Sequence, residues 1–352
     1  MDPGDLVMER QDCLRFALIG CGEFGRFLAR FAQGLPRMSV VALCSRSQSS
    51  VDQAKRDLGA ELPGFTSMAG LIARAGELFD AVMICSANYE HCGQAVAAAR
   101  AGKHIYCEKA MALTTDECWQ MVEAAERAGV RLMVGHKRRL RPPFARLKEL
   151  CLCGALGDPV AMQISSWHHY PAVPRWWMRR DQCGGLLHRV GVHDVDFMRA
   201  ILGDVETVSA VSARKVTGEA DYDECMAVLL RFRSGTIGSL QAGFRFGPLR
   251  FRESCAPWVQ CTRGGIRMAM FQDHIDLFWG ADPEHLTHER FDDLGHDAAY
   301  RGELSSFADW VLDGKAPVLS WEEGLRCVEV MEAAYRSAEL GGQPVTLPLL
   351  GR

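Results

Sequence analysis

The residues of this chain whose types and spacing most plainly suit chemistry are Gly20-Cys21-Gly22-Glu23-Phe24-Gly25, which follow the apolar run Phe16–Ile19 and open a helical pattern. In that setting a Gly-x-Gly-x-x-Gly turn is built to hold a dinucleotide pyrophosphate. Gly20 permits the tight turn, Gly22 lets backbone approach the phosphates, and Gly25 lets helix and strand pack closely. The free N–H groups and partial positive charge of the helix start complete an anion site, which Glu23 and Phe24 are expected to line. An acid that would bind the adenosine ribose is expected about 20 residues later. The next strand instead ends Cys44-Ser45-Arg46-Ser47. A hydroxyl and a guanidinium suit a 2′-phosphate, so Ser45 and Arg46 favour NADP, with NAD as the alternative and Arg46 as an ordinary exposed charge still open.

A second group, His168-His169-Tyr170 through Arg175-Trp176-Trp177-Met178-Arg179-Arg180, offers indole faces for sugar C–H surfaces and guanidiniums for hydroxyls or carboxylates. Core tryptophans with a solvated arginine rim explain the same residues equally well. The adjacent histidines lack a third ligand at a metal spacing, and Cys151-Leu152-Cys153 has no matching second pair, so no metal is expected. The basic run His136–Arg141 ends a strand at a domain junction, where cofactor or substrate contact, or plain solvation, is the reading rather than nucleic acid.

These residues need elements to position them. From Phe16 to Val134, strand-like runs (Phe16–Ile19, Val40–Cys44, Ala81–Cys85, His104–Cys107, Arg131–Val134) alternate with helical stretches such as Glu90–Ala101 and Asp116–Ala128. That alternation predicts a parallel sheet with crossover helices, a Rossmann-type doubly wound α/β domain over residues 1–139. Beyond Arg141-Pro142-Pro143 come a helix at Phe144–Leu150 and strands at Val160–Trp167, Val205–Arg214, Met226–Arg233, Gly235–Phe244, Trp258–Thr262 and Ile266–Phe271. Ser234-Gly235 is a hairpin signal, so residues 140–352 are expected to form an α+β domain with a large, mostly antiparallel sheet. One helix, Leu186–Leu202, interrupts it, and Tyr300–Asp313 and Trp321–Gly341 close the chain as helices. Met268, Met270 and Phe271 are expected to pack into a sheet face, and an uncovered face predicts a homodimer or homotetramer.

The chain's 352 residues suit two domains, and its 48% hydrophobic and 24% charged composition excludes disordered and collagen-like classes. A net charge of −4 gives no general attraction to nucleic acid. No apolar run approaches the roughly 20 residues of a membrane span, and Asp2, Asp5 and Glu9 sit where an export signal needs positive charge. The 14 cysteines are scattered, several inside apolar runs, which predicts structural thiols in a reducing, cytoplasmic setting.

Further landmarks follow in one order: Ser86-Ala87-Asn88-Tyr89-Glu90-His91, Ala101-Gly102-Lys103-His104 leading to Glu108-Lys109-Ala110, then Gly184-Gly185 and Gly191-Val192-His193-Asp194-Val195-Asp196. With the glycine turn, and running to Gly342-Gln343-Pro344-Val345, this pattern resembles the glucose–fructose oxidoreductase/inositol dehydrogenase/MocA family over nearly the whole chain. The resemblance implies that Lys109 lies by the nicotinamide and the reacting oxygen and that His193 accepts the substrate's hydroxyl proton. It places Ser86, Asn88, His91 and Glu108 beside the cofactor, and Lys137, His168, Trp177, Arg189 and Asp194 with His193 around a carbohydrate or polyol. Ala110 and Ala87 stand where the family has proline, Cys183 where a third glycine is common, and Arg189 where an aspartate is common four residues before the histidine. Arg189 cannot accept a hydrogen bond from the ring, and Asp196 is the nearest helical substitute.

The implied activity is NAD(P)-dependent hydride transfer at a secondary alcohol or ketone carbon of a sugar, inositol or related polyol. Two alternatives stay open: a glycoside hydrolase that oxidises its substrate transiently, and a non-catalytic regulatory protein that keeps the dinucleotide fold.

Overall fold

The computed structural model describes residues 12–168, 174–213, 220–244, 256–271, 273–282 and 284–351. His169 and Tyr170 of the aromatic segment lie outside them. The chain forms two units, one of residues 1–112, 116–135 and 300–322, the other of residues 113–115, 136–299 and 323–352.

The first unit begins with β1 (Leu14–Ile19), α1 (Glu23–Gln33), β2 (Met38–Cys44), α2 (Gln48–Leu58), β3 (Gly64–Phe65) and the short helices α3 (Met68–Ile72) and α4 (Ala75–Leu78). It continues through β4 (Ala81–Ile84), α5 (Asn88–Arg100), β5 (His104–Glu108), α6 (Thr115–Ala128) and β6 (Leu132–Gly135). The strands form a sheet in the order β3-β2-β1-β4-β5-β6, with every pair parallel. β4, β5 and β6 are almost wholly buried, as expected of strands covered on both faces, and β4 and β6 accordingly read as unbroken apolar runs. β1 pairs with both β2 and β4, so the strand order reverses there and opens a crevice beyond the strands' C-terminal ends.

The second unit contains α7 (Pro142–Leu152), β7 (Pro159–His168), α8 (Arg180–Cys183), a π turn (Leu187–Gly191), α9 (Val192–Leu202), β8 (Val205–Ala213), β9 (Cys225–Phe232) and β10 (Ile237–Phe244). Then come β11 (Ala256–Cys261), β12 (Gly264–Met270), β13 (Ile275–Gly280), β14 (Thr287–Phe291), α10 (His296–Asp313), α11 (Trp321–Glu339) and β15 (Val345–Thr346). Its nine strands run β14-β13-β12-β11-β7-β10-β9-β8-β15, all antiparallel except the β7–β10 pair. The β9–β10 hairpin turns where Ser234-Gly235 predicts it.

Three expectations change. A single cut at residue 139 does not describe the chain, because Tyr300–Glu322 packs with the first unit. Phe307 contacts Phe16 and Tyr106, Tyr300 meets Phe24, Phe27 and Phe31, and Arg37 bonds Asp313 at 2.8 Å. The expected helix Leu186–Leu202 is a π turn followed by α9. Met268 is buried, but Phe271 is exposed and stacks on His274, since β12 ends before it.

Candidate functional site

The glycine turn closes the crevice at the strand-order reversal. Gly20 has φ +94°, and a Cβ there would lie 2.6 Å from the Cys85 and Ser86 backbone. A Cβ on Gly25 would lie 2.0 Å from the Gly20 carbonyl oxygen. Protein fills both positions. At Gly22, by contrast, a Cβ would meet nothing within 4 Å. Gly22 is the N-cap of α1, and no side chain caps that helix start. Glu23 and Phe24 are exposed beside it, and Ser86 is half-buried across the turn, its Oγ donating to Gln94 Oε1 at 2.7 Å. A cradle of backbone donors that a side chain would otherwise fill fits a dinucleotide pyrophosphate.

At the end of β2, Ser45 is half-buried and its amide donates to Phe65 at 3.0 Å. Arg46 does not stand alone. Its Nη1 donates to the Tyr89 hydroxyl at 2.5 Å, its guanidinium lies 5.8 Å from that ring's centroid, and its Nε is 3.4 Å from Glu90 Oε1. The sequence displays Tyr89 and Glu90 inside the Ser86–His91 turn, but nothing local ties them to a strand end more than forty positions earlier.

Lys109 follows β5 directly and is half-buried. It therefore emerges at the same C-terminal edge of the sheet as the glycine turn. Asn88 and His91, expected beside the cofactor, are buried beneath this turn. Asn88 Nδ2 donates to the Ala110 carbonyl at 3.4 Å, and the His91 ring nitrogens lie 3.0 Å from Ala110 O and 3.1 Å from Ser86 O. Burial holds the His91 imidazole below its ordinary pKa, which keeps it neutral near pH 7. Asn88 and His91 thereby tie the cis Lys109–Ala110 segment, and His91 also the Ser86 turn, to the start of α5. Glu108 is likewise buried, accepting from the Lys109 amide at 3.3 Å and sitting 3.2 Å from the Tyr106 hydroxyl. That hydroxyl also lies 3.0 Å from Glu303 Oε2. Burial, then the two carboxylates, push the Tyr106 phenol well up. Neither Tyr106 nor Glu303 carries a motif that marks it in the sequence.

In the second unit His193 is the second residue of α9; it is half-buried, with Nδ1 enclosed. Arg189 stacks its guanidinium 3.5 Å from the centroid of the Trp177 indole and also faces Phe244. Lys137 and His168 are half-buried, and His168 Nε2 is 3.0 Å from Ser166 Oγ. Asp194 departs from expectation. It has no exposed surface and pairs with Arg138. Burial pushes its carboxyl up despite the guanidinium. Asp196 is also fully buried, bound by Arg139 through two nitrogens, and so does not take the place of the missing aspartate.

Three arginines of the basic run are thus engaged internally: Arg138 on Asp194, Arg139 on Asp196, and Arg141 on the Leu294 carbonyl at 2.6 Å. His136, Asp196 and Cys327 do bring possible ligand atoms within 4.8 Å of one another. Arg139 already neutralises that carboxylate, and burial pushes the Cys327 thiol up to about 12, so the donor set favours no cation. The described cysteines are free thiols. His188, which the sequence does not single out, is buried with Nε2 3.1 Å from the Leu113 carbonyl and its ring stacked on Tyr335. No helix among the described residues is long and apolar enough to cross a membrane.

Lys109 belongs to the first unit and His193 to the second. Comparison with known proteins places both units in one lineage. Residues 14–136 match the family described as "Oxidoreductase family, NAD-binding Rossmann fold", and residues 144–267 match the "GFO/IDH/MocA C-terminal domain". The myo-inositol 2-dehydrogenase of Thermotoga maritima is 28% identical over 335 residues, covering 93% of this chain and 96% of the relative. The 2,7-anhydro-N-acetylneuraminate hydratase of Escherichia coli is 26% identical over 304 residues, covering 84% and 78%. An oxidoreductase from Agrobacterium radiobacter, solved with NAD+, L-tartaric acid and magnesium, superposes with a TM-score of 0.84 at 22% identity over 95% of this chain and 98% of its own. With both domain signatures matched in order over more than half its length, the chain belongs to the Gfo/Idh/MocA oxidoreductase family.

Proposed function

We propose that this protein transfers a hydride between a nicotinamide dinucleotide and a secondary alcohol or ketone carbon of a sugar, inositol or related polyol. The carrying observation is that the open cradle at Gly22 and the lysine after β5 share one edge of the parallel sheet. When bound there, the nicotinamide supplies the hydride acceptor or donor. Gly20, Gly22, Glu23, Phe24 and Gly25 hold the pyrophosphate end, and Ser45, Arg46 and Ser86 line the remainder of the cofactor's path. Lys109, fixed from below by Asn88 and His91 through Ala110, stabilises negative charge developing on the reacting oxygen. His193 takes the hydroxyl proton during oxidation and returns it during reduction. The Trp177 indole, with Arg189 over it, offers an amphipathic surface for a ring bearing hydroxyls, and Lys137 and His168 add polar contacts. Similarity to an inositol dehydrogenase supports a cyclic polyol.

The test is direct. Purified protein with NAD or NADP and a panel of inositols, sugars and sugar acids is followed at the reduced-nicotinamide absorbance band. Turnover is expected with at least one cyclic polyol, and Lys109→Ala and His193→Ala are each expected to lower kcat by about 10²-fold or more while cofactor still binds. Undiminished turnover in either variant removes that residue from its role.

Similarity to a hydratase favours a second reading, since hydration leaves the substrate's oxidation state unchanged overall. On that reading a glycosidic or anhydro-sugar bond is altered with no net change in cofactor absorbance, which product analysis of the same assays distinguishes.

A further inference from the structure

The end of β2 is where this fold discriminates between the two nicotinamide dinucleotides, by an acid that binds a ribose hydroxyl or a cation that binds the extra phosphate. The strand end itself carries only Ser45 and Arg46. The acid arrives from elsewhere. Glu90, in the first turn of α5, lies with Oε1 3.4 Å from Arg46 Nε. Its charge is felt at the strand end, for burial and then Glu90 push the Cys44 thiol up to about 11. The carboxylate is held by a short relay in which Ser86 Oγ donates to Gln94 Oε1 at 2.7 Å and Gln94 Nε2 donates to Glu90 Oε2 at 3.4 Å. Arg46 is secured on its other side by the Tyr89 hydroxyl.

We propose that Glu90 selects the cofactor, masking Arg46 so that the site prefers NAD although its strand end carries an arginine. This rests on the reading of the glycine turn as a dinucleotide site. With two of its nitrogens engaged, Arg46 offers a 2′-phosphate only part of its donor fork. The phosphate, with a charge of about −2, would also approach a fixed carboxylate. Arg46 is 71% exposed and Glu90 21%, so the pair itself adds little stability and Glu90 can change without harm to the fold. NAD places a neutral hydroxyl there, which brings no charge against Glu90.

The experiment measures Kd for NADH and NADPH by nicotinamide fluorescence on wild-type protein, Glu90→Gln and the double variant Glu90→Gln/Arg46→Gln, with melting temperatures recorded for each. Wild type is expected to bind NADH more tightly than NADPH. Glu90→Gln is expected to tighten NADPH about tenfold with a change of less than about threefold for NADH, and the double variant should lose that gain. A ratio of the two constants unmoved by Glu90→Gln overturns the inference, as does a wild type that prefers NADPH. Wild-type protein that binds neither cofactor overturns the dinucleotide reading itself, a result distinct from an unmoved ratio.

Discussion

At the scale of single residues, burial decides what a polar side chain can do. His188 shows this most plainly. Its pKa is lowered from 6.5 to about 4 by burial, opposed in part by the hydrogen bond to the Leu113 carbonyl, with a lesser lowering from Arg180. The unfolded chain binds a proton near pH 6.5 and the folded chain resists until about 4, so stability is full above pH 6.5 and lost as pH falls through that window. From this residue alone the unfolding free energy at pH 5 is expected to lie about 2 kcal/mol below its value at pH 7. Urea unfolding at the two pH values checks it, with His188→Gln expected to flatten the dependence, whatever its effect on stability at neutral pH. The same scale sets the limits of reading a sequence. A basic run looks solvated until Asp194 and Asp196, more than fifty positions on, are found buried against it. Arg46 looks available for a phosphate until Glu90 is found beside it. Residue types were legible; their partners, brought in by folding, were not.

Among elements, the glycine turn was the most legible, because strand, turn and helix are contiguous and each glycine answers a local steric demand. The structure separates those demands in a way the motif does not. Gly25 is required by packing, Gly22 by what approaches it. Gly25→Ala is expected to destabilise the protein by about 2 kcal/mol or more, since a Cβ would collide with the Gly20 carbonyl. Gly22 has φ −67° and ψ 177°, which any residue adopts. Gly22→Ser is expected to leave the melting temperature within about 2 °C, because serine is itself a good N-cap, while weakening dinucleotide binding about tenfold or more. Thermal unfolding and fluorescence titration of the two variants check both halves, and equal loss of stability in both would sink the distinction. Five of the first unit's six strands were legible as apolar runs, whereas the two-residue β3, Gly64-Phe65, was too short to show a pattern. The edge strand β14, Thr-His-Glu-Arg-Phe, shows no apolar alternation, and Asp276, paired across to His288 at 3.2 Å, interrupts β13. The π turn before α9 has no signature in its composition.

For the whole molecule, the two-domain architecture was legible from a change of period, whereas the return of Tyr300–Glu322 to the first unit depends on contacts such as Phe307 on Phe16 that no local pattern announces. The nine-stranded sheet carries a consequence at this scale. Met162, Ile164, Val228, Leu230, Leu240 and Val259 are buried on one face. On the other, Val211, Leu229, Ile237 and Trp258 are each more than half exposed, on β8, β9, β10 and β11. Alternating strands do expose single apolar residues, but three large ones on adjacent β8, β9 and β10, with Trp258 across β7, make a patch of the kind that associates. Gln163, Ser239, Gln241 and Gln260 share this face with Arg267, opposite Trp258, and Arg231, opposite Ile237, and Arg231 already pairs with Glu206. A sheet face meeting its own copy about a twofold axis is self-complementary, so a homodimer, or a homotetramer of two such pairs, is expected. Light scattering after size exclusion should give two or four times the chain mass at micromolar concentration. Leu229→Glu with Trp258→Glu should shift it toward the monomer with each unit still folded by circular dichroism, because both side chains point away from the core. A wild-type protein that runs as a monomer at tens of micromolar would assign this face to some other partner.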